Sequence, residues 1–205
     1  MEKNKDYVIT IAREFGSLGR PIAKRLAEEL GIEYYDRDLV EFAAQAMNVH
    51  VDEIANYDDH MPTSRFKKMM YPFGGNTTPI LQDQLFEMQK SLILEMAKNK
   101  RPCVIVGRCS DEILTGECEN LLKVFIYAPY EVRKENCVSE FKMKKAEAEK
   151  MIDRVDRARS IYYKYYTGKE FNNPENRDLM INSSILGVEG AVSVIKAAVL
   201  SRFME

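Results

Sequence analysis

Along the chain, short continuous apolar runs alternate with longer stretches in which apolar residues recur every three or four positions. Tyr7–Ala12 (YVITIA) is a β-branched run of strand length, and beyond Arg13–Arg20 (REFGSLGR) the residues Ile22, Ala23, Leu26, Ala27 and Leu30 fall at helical spacing. That pattern predicts a strand, a glycine-bearing turn and a helix, with Pro21 suited to the first helical turn and Gly31 to the helix end. Ile32–Tyr35 predicts a second strand and Arg37–Met47 a second helix. Tyr71–Pro79 (YPFGGNTTP) breaks the periodicity and predicts a mobile loop, after which Ile80–Asn99 resumes as a long amphipathic helix. Cys103–Val106 predicts a buried strand ending at Gly107-Arg108, Asp111–Leu114 a helical turn, and Leu122–Tyr127 (LKVFIY) a fourth strand. Tyr130–Tyr166 reads as helical throughout, Leu179–Asn182 as the last strand, and Val188–Phe203 as a closing helix. Five strands separated by helices predict an α/β fold whose mainly parallel sheet is covered on both faces.

Composition narrows this picture. A chain of 205 residues that is 45% hydrophobic and 30% charged suits one globular domain rather than a low-complexity segment. Its formal charge of −2 gives no overall attraction for nucleic acid or an anionic membrane, so any anion must be held by a local cluster. Neither nucleic acid nor membrane is expected as a partner. The four cysteines (Cys103, Cys109, Cys118, Cys137) form no zinc spacing with each other or with His50 and His60. The apolar runs, such as Cys103–Val106, are strand-sized, well short of a membrane span. The N-terminus carries no signal-peptide pattern, so reduced thiols and a cytoplasmic location are expected.

The turn after the first strand is the leading candidate for chemistry. A chain passing through Gly16-Ser17-Leu18-Gly19 into a helix presents free backbone amides at the positive end of the helix dipole, where phosphate fits. Arg13 and Arg20 flank that loop and can add charge-assisted bonds. Arg108, at the C-terminal end of a predicted parallel strand, faces the crevice where ligands bind in such sheets. Arg154, Arg157 and Arg159 cluster further on; Arg154 and Arg157 are neighbours on a helix, while Arg154 and Arg159 point well apart.

ITIAREFGSLGRPIAKRLAEELG with the following YYD resembles the first strand, P-loop, helix and second strand of cytidylate kinases, in particular the group called cytidylate kinase-like. VIVGR at Val104–Arg108, KVFIYAPYEVRKENC at Lys123–Cys137, DRARSIYYKYY at Asp156–Tyr166 and DLMINSSILGVEGAV at Asp178–Val192 are similar, in order, to later segments of that family. The resemblance implies a three-layer P-loop kinase fold with a five-stranded parallel sheet and helical NMP-binding and lid segments. On this chain the core is expected at about residues 1–35, 100–130 and 176–205, the insertion at about 36–99 and the lid at about 140–175. It further implies a phosphotransferase using ATP and Mg2+ on a small nucleotide such as CMP or dCMP. Arg20, Arg157 and Arg159 would act in transfer, while Arg13, Gly16, Ser17, Leu18, Gly19, Arg20, Asp36, Arg108 and Arg154 would bind nucleotide or phosphate. Asp36 matches an aspartate near the pyrimidine site, or is simply the cap of the second helix.

The chain departs from the P-loop pattern G-x-x-x-x-G-K-[ST]. Gly19 and Pro21 stand where a lysine and a hydroxyl are expected, and Arg20 reaches the lysine position if the register shifts by one. A guanidinium is a planar fork rather than a compact ammonium, so that replacement is not neutral. Ser17 is the one hydroxyl inside the loop, and either approaches the metal or caps the turn. These departures leave open a phosphate- or nucleotide-binding module of the same fold without efficient transfer. Tyr162, Tyr163, Tyr165 and Tyr166 are expected to pack a helix onto the domain rather than to stack on a base.

Overall fold

The structure is a computed structural model that describes residues 6–36 and 79–204. The helix expected at Arg37–Met47, the loop at Tyr71–Pro79 up to its last residue, and both histidines lie outside the described residues.

The five strands are β1 (Val8–Arg13), β2 (Glu33–Tyr35), β3 (Cys103–Val106), β4 (Leu121–Tyr127) and β5 (Leu179–Asn182), all parallel in the order β2-β3-β1-β4-β5. Each predicted strand is present within a residue or two of its expected bounds. Six α-helices are described: α1 (Gly19–Leu30), α2 (Pro79–Lys98), α3 (Ser110–Ile113), α4 (Tyr130–Ser139), α5 (Lys145–Thr167) and α6 (Ser183–Val199).

The period-two alternation of the strands divides the core into layers. Ile9, Ile11, Val104, Val106, Leu122, Val124 and Ile126 point to one face, against Ile22, Ala23 and Leu26 of α1 and Ala191, Val192, Ile195 and Val199 of α6. Val8, Cys103, Ile105 and Leu121 point to the other, against Ile93 of α2 and Leu114. A third cluster, Phe15, Cys137, Met143, Ala148, Met151, Ile152 and Val155, packs α4 and α5 behind the loop that follows β1.

Two helical expectations are corrected. The stretch Tyr130–Tyr166 is not one helix: it breaks between α4 and α5, where Lys142 takes a left-handed φ of 57° and the Met143 amide donates to the Cys137 carbonyl at 3.1 Å. Burying the Met143 side chain in the third cluster outweighs continued helix propensity there. The closing helix begins at Ser183, capped by the Asn182 side chain, and kinks at Gly187 (φ 62°, ψ −167°) before running on from Val188 into a π-turn at Leu200–Met204. That stretch also corrects the expectation that no apolar run reaches membrane-spanning length: Ser183–Met204 is long and apolar enough to cross a membrane by length and composition. Its inner residues, however, belong to the core described above.

Candidate anion and nucleotide site

β1 ends at Arg13, and the chain turns through Glu14-Phe15-Gly16-Ser17-Leu18 into α1, with left-handed φ at Gly16 (80°) and Leu18 (61°). The turn's carbonyls face the surrounding elements. The Phe15 carbonyl accepts from Arg133 Nη1 at 3.2 Å, the Gly16 carbonyl from Asn136 Nδ2 at 2.9 Å and the Ser17 carbonyl from Ser183 Oγ at 2.8 Å. The Phe15 amide donates to Asp156 Oδ1 at 2.7 Å. For the amides of Gly16, Ser17, Leu18, Gly19 and Arg20, no acceptor is found among the described residues. They are donors at a helix start, arranged as an anion cradle. Glycine is required at 16 because a Cβ there would stand 2.6 Å from the Arg133 carbonyl oxygen.

The Ser17 hydroxyl faces inward. It is fully buried and donates to the carbonyls of Glu14 at 2.9 Å and Ile126 at 3.1 Å, so of its two expected roles it takes that of fixing the turn. Pro21 offers neither hydroxyl nor amide, and no cluster of His, Cys, Asp and Glu suited to a metal occurs among the described residues. The loop thus fits a polyphosphate, whereas its side chains do not fit a magnesium ion.

Beside the cradle lies a cavity of about 60 Å3 whose lining includes Arg13, Arg20, Arg108 and Arg159, together with Asp111, Tyr162, Tyr163 and Phe171. These arginines come from the end of β1, the start of α1, the turn after β3 and the middle of α5. Gly107, Arg108 and Cys109 all have left-handed φ (75°, 63° and 55°), a conformation that costs non-glycine residues energy and here aims Arg108 into the cavity. Arg159 donates from Nη1 to the Arg13 carbonyl at 2.8 Å. Arg154 and Arg157 lie on the exposed side of α5 and do not line the cavity. Of the three clustered arginines expected at the site, only Arg159 enters it, as the 100° turn per residue requires.

Asp36, just after β2, is the counter-charge. Arg20 approaches it with Nε at 2.5 Å from Oδ2 and Nη2 at 3.2 Å from Oδ1, and Arg13 Nη2 stands 3.8 Å from Oδ1. Burial pushes the Asp36 carboxyl up, but Arg13, Arg20 and Arg108 outweigh it and hold the group below the usual carboxylate range. Burial also pulls the arginines down, Arg13 well below its ordinary value and Arg159 to about 10, with neighbouring guanidinium groups adding to the effect. Arg108 is lowered as well, chiefly by burial, and among the described residues no carboxylate lies within ion-pair distance of it. Arg159 also stands 4.0 Å from Asp156, so these four cations share the carboxylates of Asp36 and Asp156 and the cluster keeps an excess of positive charge.

Several supporting residues carry no sequence signal. Arg133 of α4 pairs with Asp156 and lies 3.4 Å from Glu14, so the back of the loop is tied to both α4 and α5. Asp111, buried below the Arg108 turn, accepts from Tyr163 at 2.7 Å and pairs with Arg177, whose guanidinium lies over Phe125 and Tyr163. The tyrosines pack as expected, Tyr166 stacking on Phe86 of α2 at 3.8 Å between ring centroids, except that Tyr165 is exposed.

Among solved structures, an uncharacterized protein from Eubacterium ventriosum is 24% identical, with 96% of this chain and 99% of that chain covered and a TM-score of 0.71. A shikimate kinase from Acinetobacter baumannii, solved with shikimate, is 14% identical with 98% and 97% covered and a TM-score of 0.55. A gluconokinase from Sinorhizobium meliloti is 13% identical with 99% and 100% covered and a TM-score of 0.51. At such identities the likeness is one of fold, and the fold is that of the P-loop kinases. No curated protein matches the chain. The cytidylate kinase-like family matches residues 8–185, a span running from β1 through the loop, the arginine cavity and β5 into α6. With the cradle and its arginines inside that match, the chain belongs to the cytidylate kinase-like family.

Proposed function

We propose that the protein transfers the terminal phosphate of ATP to a small acceptor that bears its own negative charge, a nucleoside monophosphate of the CMP or dCMP kind. The observation that supports this is the convergence of Arg13, Arg20, Arg108 and Arg159 on one cavity beside loop amides that have no acceptor among the described residues. The amides of Gly16 to Arg20 hold the donor phosphates, and Arg20 supplies the charge that a P-loop lysine supplies elsewhere. Arg108 and Arg159 hold the acceptor and the transferred group. An acceptor oxygen attacks the γ-phosphorus, the bond to the bridging oxygen breaks, and ADP departs with that electron pair. The protein's part is alignment and charge rather than covalent chemistry. Asp36, held ionised between arginines, orients Arg20 and is poorly suited to take a proton. Magnesium accompanies ATP in such kinases, but the Ser17 hydroxyl, turned inward onto the carbonyls of Glu14 and Ile126, offers it no ligand.

A second reading is a nucleotide-binding module without efficient transfer, and one observation favours it: Gly19, Pro21 and the inward Ser17 leave the loop with neither lysine nor free hydroxyl. A coupled assay of ADP release across CMP, dCMP, UMP, shikimate and gluconate decides between them. Turnover with CMP or dCMP is the expected result. Thermal stabilisation by nucleotide without turnover establishes the second reading, turnover confined to shikimate or gluconate replaces the acceptor, and neither binding nor turnover overturns both.

A further inference from the structure

One buried carboxylate joins three segments that otherwise approach the cavity separately. Asp111 lies in α3, three residues after Arg108, and the Ser110 amide closes the turn around Arg108 and Cys109 by donating to the Gly107 carbonyl at 3.1 Å. Its Oδ2 accepts from the Tyr163 hydroxyl of α5 at 2.7 Å and pairs with Nη1 of Arg177, shortly before β5. The Arg177 side chain is fully buried, and its Nη2 donates to the Phe171 carbonyl at 2.8 Å. Its guanidinium lies 5.2 Å from the centre of the Tyr163 ring and 5.4 Å from that of Phe125.

We propose that Asp111 is a positioning residue: held by Arg177 and bonded to Tyr163, it sets the separation of Arg108 and Arg159 before any ligand arrives. The proposal rests on the role given above to those two arginines. Arg108 is joined to Asp111 through one tight turn. Arg159 stands four residues before Tyr163, so the two share a face of α5. The bond from Tyr163 to Asp111 therefore fixes the height of Arg159 against Arg108. The far end of Arg159 is fastened as well, by its 2.8 Å bond to the Arg13 carbonyl. Burial, and then the facing carboxylate, push the Tyr163 pKa up, so the hydroxyl keeps its proton and remains the donor. Arg177 supplies the charge partner that a buried carboxylate requires. Guanidinium groups fixed in advance lose less freedom on binding an anion than groups that must first be gathered.

A double-mutant cycle separates positioning from plain support. Removing Asp111 or Arg177 would strand the other's charge in the core, whereas Tyr163→Phe removes only a hydroxyl and keeps the ring's packing on Phe171. The Kd for CMP and, separately, for inorganic pyrophosphate is measured by calorimetry in the wild type, Tyr163→Phe, Arg159→Ala and the double variant. Tyr163→Phe should weaken binding about five- to tenfold while Arg159 is intact, and less than about twofold in the Arg159→Ala background. Tyr166→Phe, which removes a 3.0 Å bond from the same helix to Asp83 of α2, should leave the Kd within about twofold. If pyrophosphate follows this pattern while CMP does not bind, the nucleotide acceptor is discarded and the positioning role is upheld. An equal loss in both backgrounds means structural support or direct contact with the ligand. That result, no loss in either background, a matching loss in Tyr166→Phe, or binding of neither anion overturns the proposal.

Discussion

Arg108 and Arg159 show how much a single side chain decides at this site. Each faces the cavity, while Arg157, two residues from Arg159, is exposed. Loss of a charged hydrogen-bond donor costs about 1.5–3 kcal/mol. Arg108→Ala and Arg159→Ala should therefore raise the Kd for CMP roughly 10- to 100-fold by calorimetry, whereas Arg157→Ala should leave it within about twofold. Arg108 was legible in sequence because a residue that follows a buried parallel strand has only one place to go. The division of Arg157 from Arg159 was not, because it depends on which side of α5 turns inward. Gly16 is a second case: its φ of 80° and the 2.6 Å approach to the Arg133 carbonyl predict that Gly16→Ala lowers unfolding stability by at least about 1 kcal/mol in urea titration. Asp36 has a folded-state value below its unfolded one, so its charge contributes stability above the ordinary aspartate range, and that contribution is lost as pH falls through the lower folded value. Melting temperatures measured down through about pH 4 should show that loss in the wild type and a shallower decline in Asp36→Asn.

Among the elements, the strands were readable and the helix boundaries were not. A strand buried on both faces of a parallel sheet is nearly all apolar, as Cys103–Val106 is throughout and Leu122–Tyr127 is at every position but Lys123, and that leaves an unmistakable run. The break between α4 and α5 left no such mark, because Phe141 and Met143 continue the helical spacing and the chain turns only to bury Met143. The docking of α5 onto the loop was equally invisible, since it rests on Asp156 meeting an amide 141 residues earlier. That contact can be measured. Asp156→Ala removes the acceptor of the Phe15 amide and one partner of Arg133, a loss of about 1–3 kcal/mol. Hydrogen exchange should speed up at Phe15 and along α5 in this variant, while β4 and β5 keep their protection.

For the molecule as a whole, the near-neutral composition concealed a concentrated site, because the segment Asp36–Asp59 carries seven acids against one base and offsets the arginines in the total. Ligand binding to the folded chain alone should stabilise it by about 2.7 kcal/mol at a hundred times Kd. CMP should therefore raise the melting temperature, and Arg108→Ala should need more of it for the same rise.

Asp36 gives this cavity a built-in selectivity threshold. Because the carboxylate is tethered between Arg20 and Arg13, it competes with every incoming anion at a local concentration that no monovalent ion in solution matches. A phosphate dianion, with more charge and three oxygens for paired guanidinium contacts, should draw the arginines away more readily than chloride or acetate, so the melting temperature should respond to phosphate at far lower concentration than to chloride.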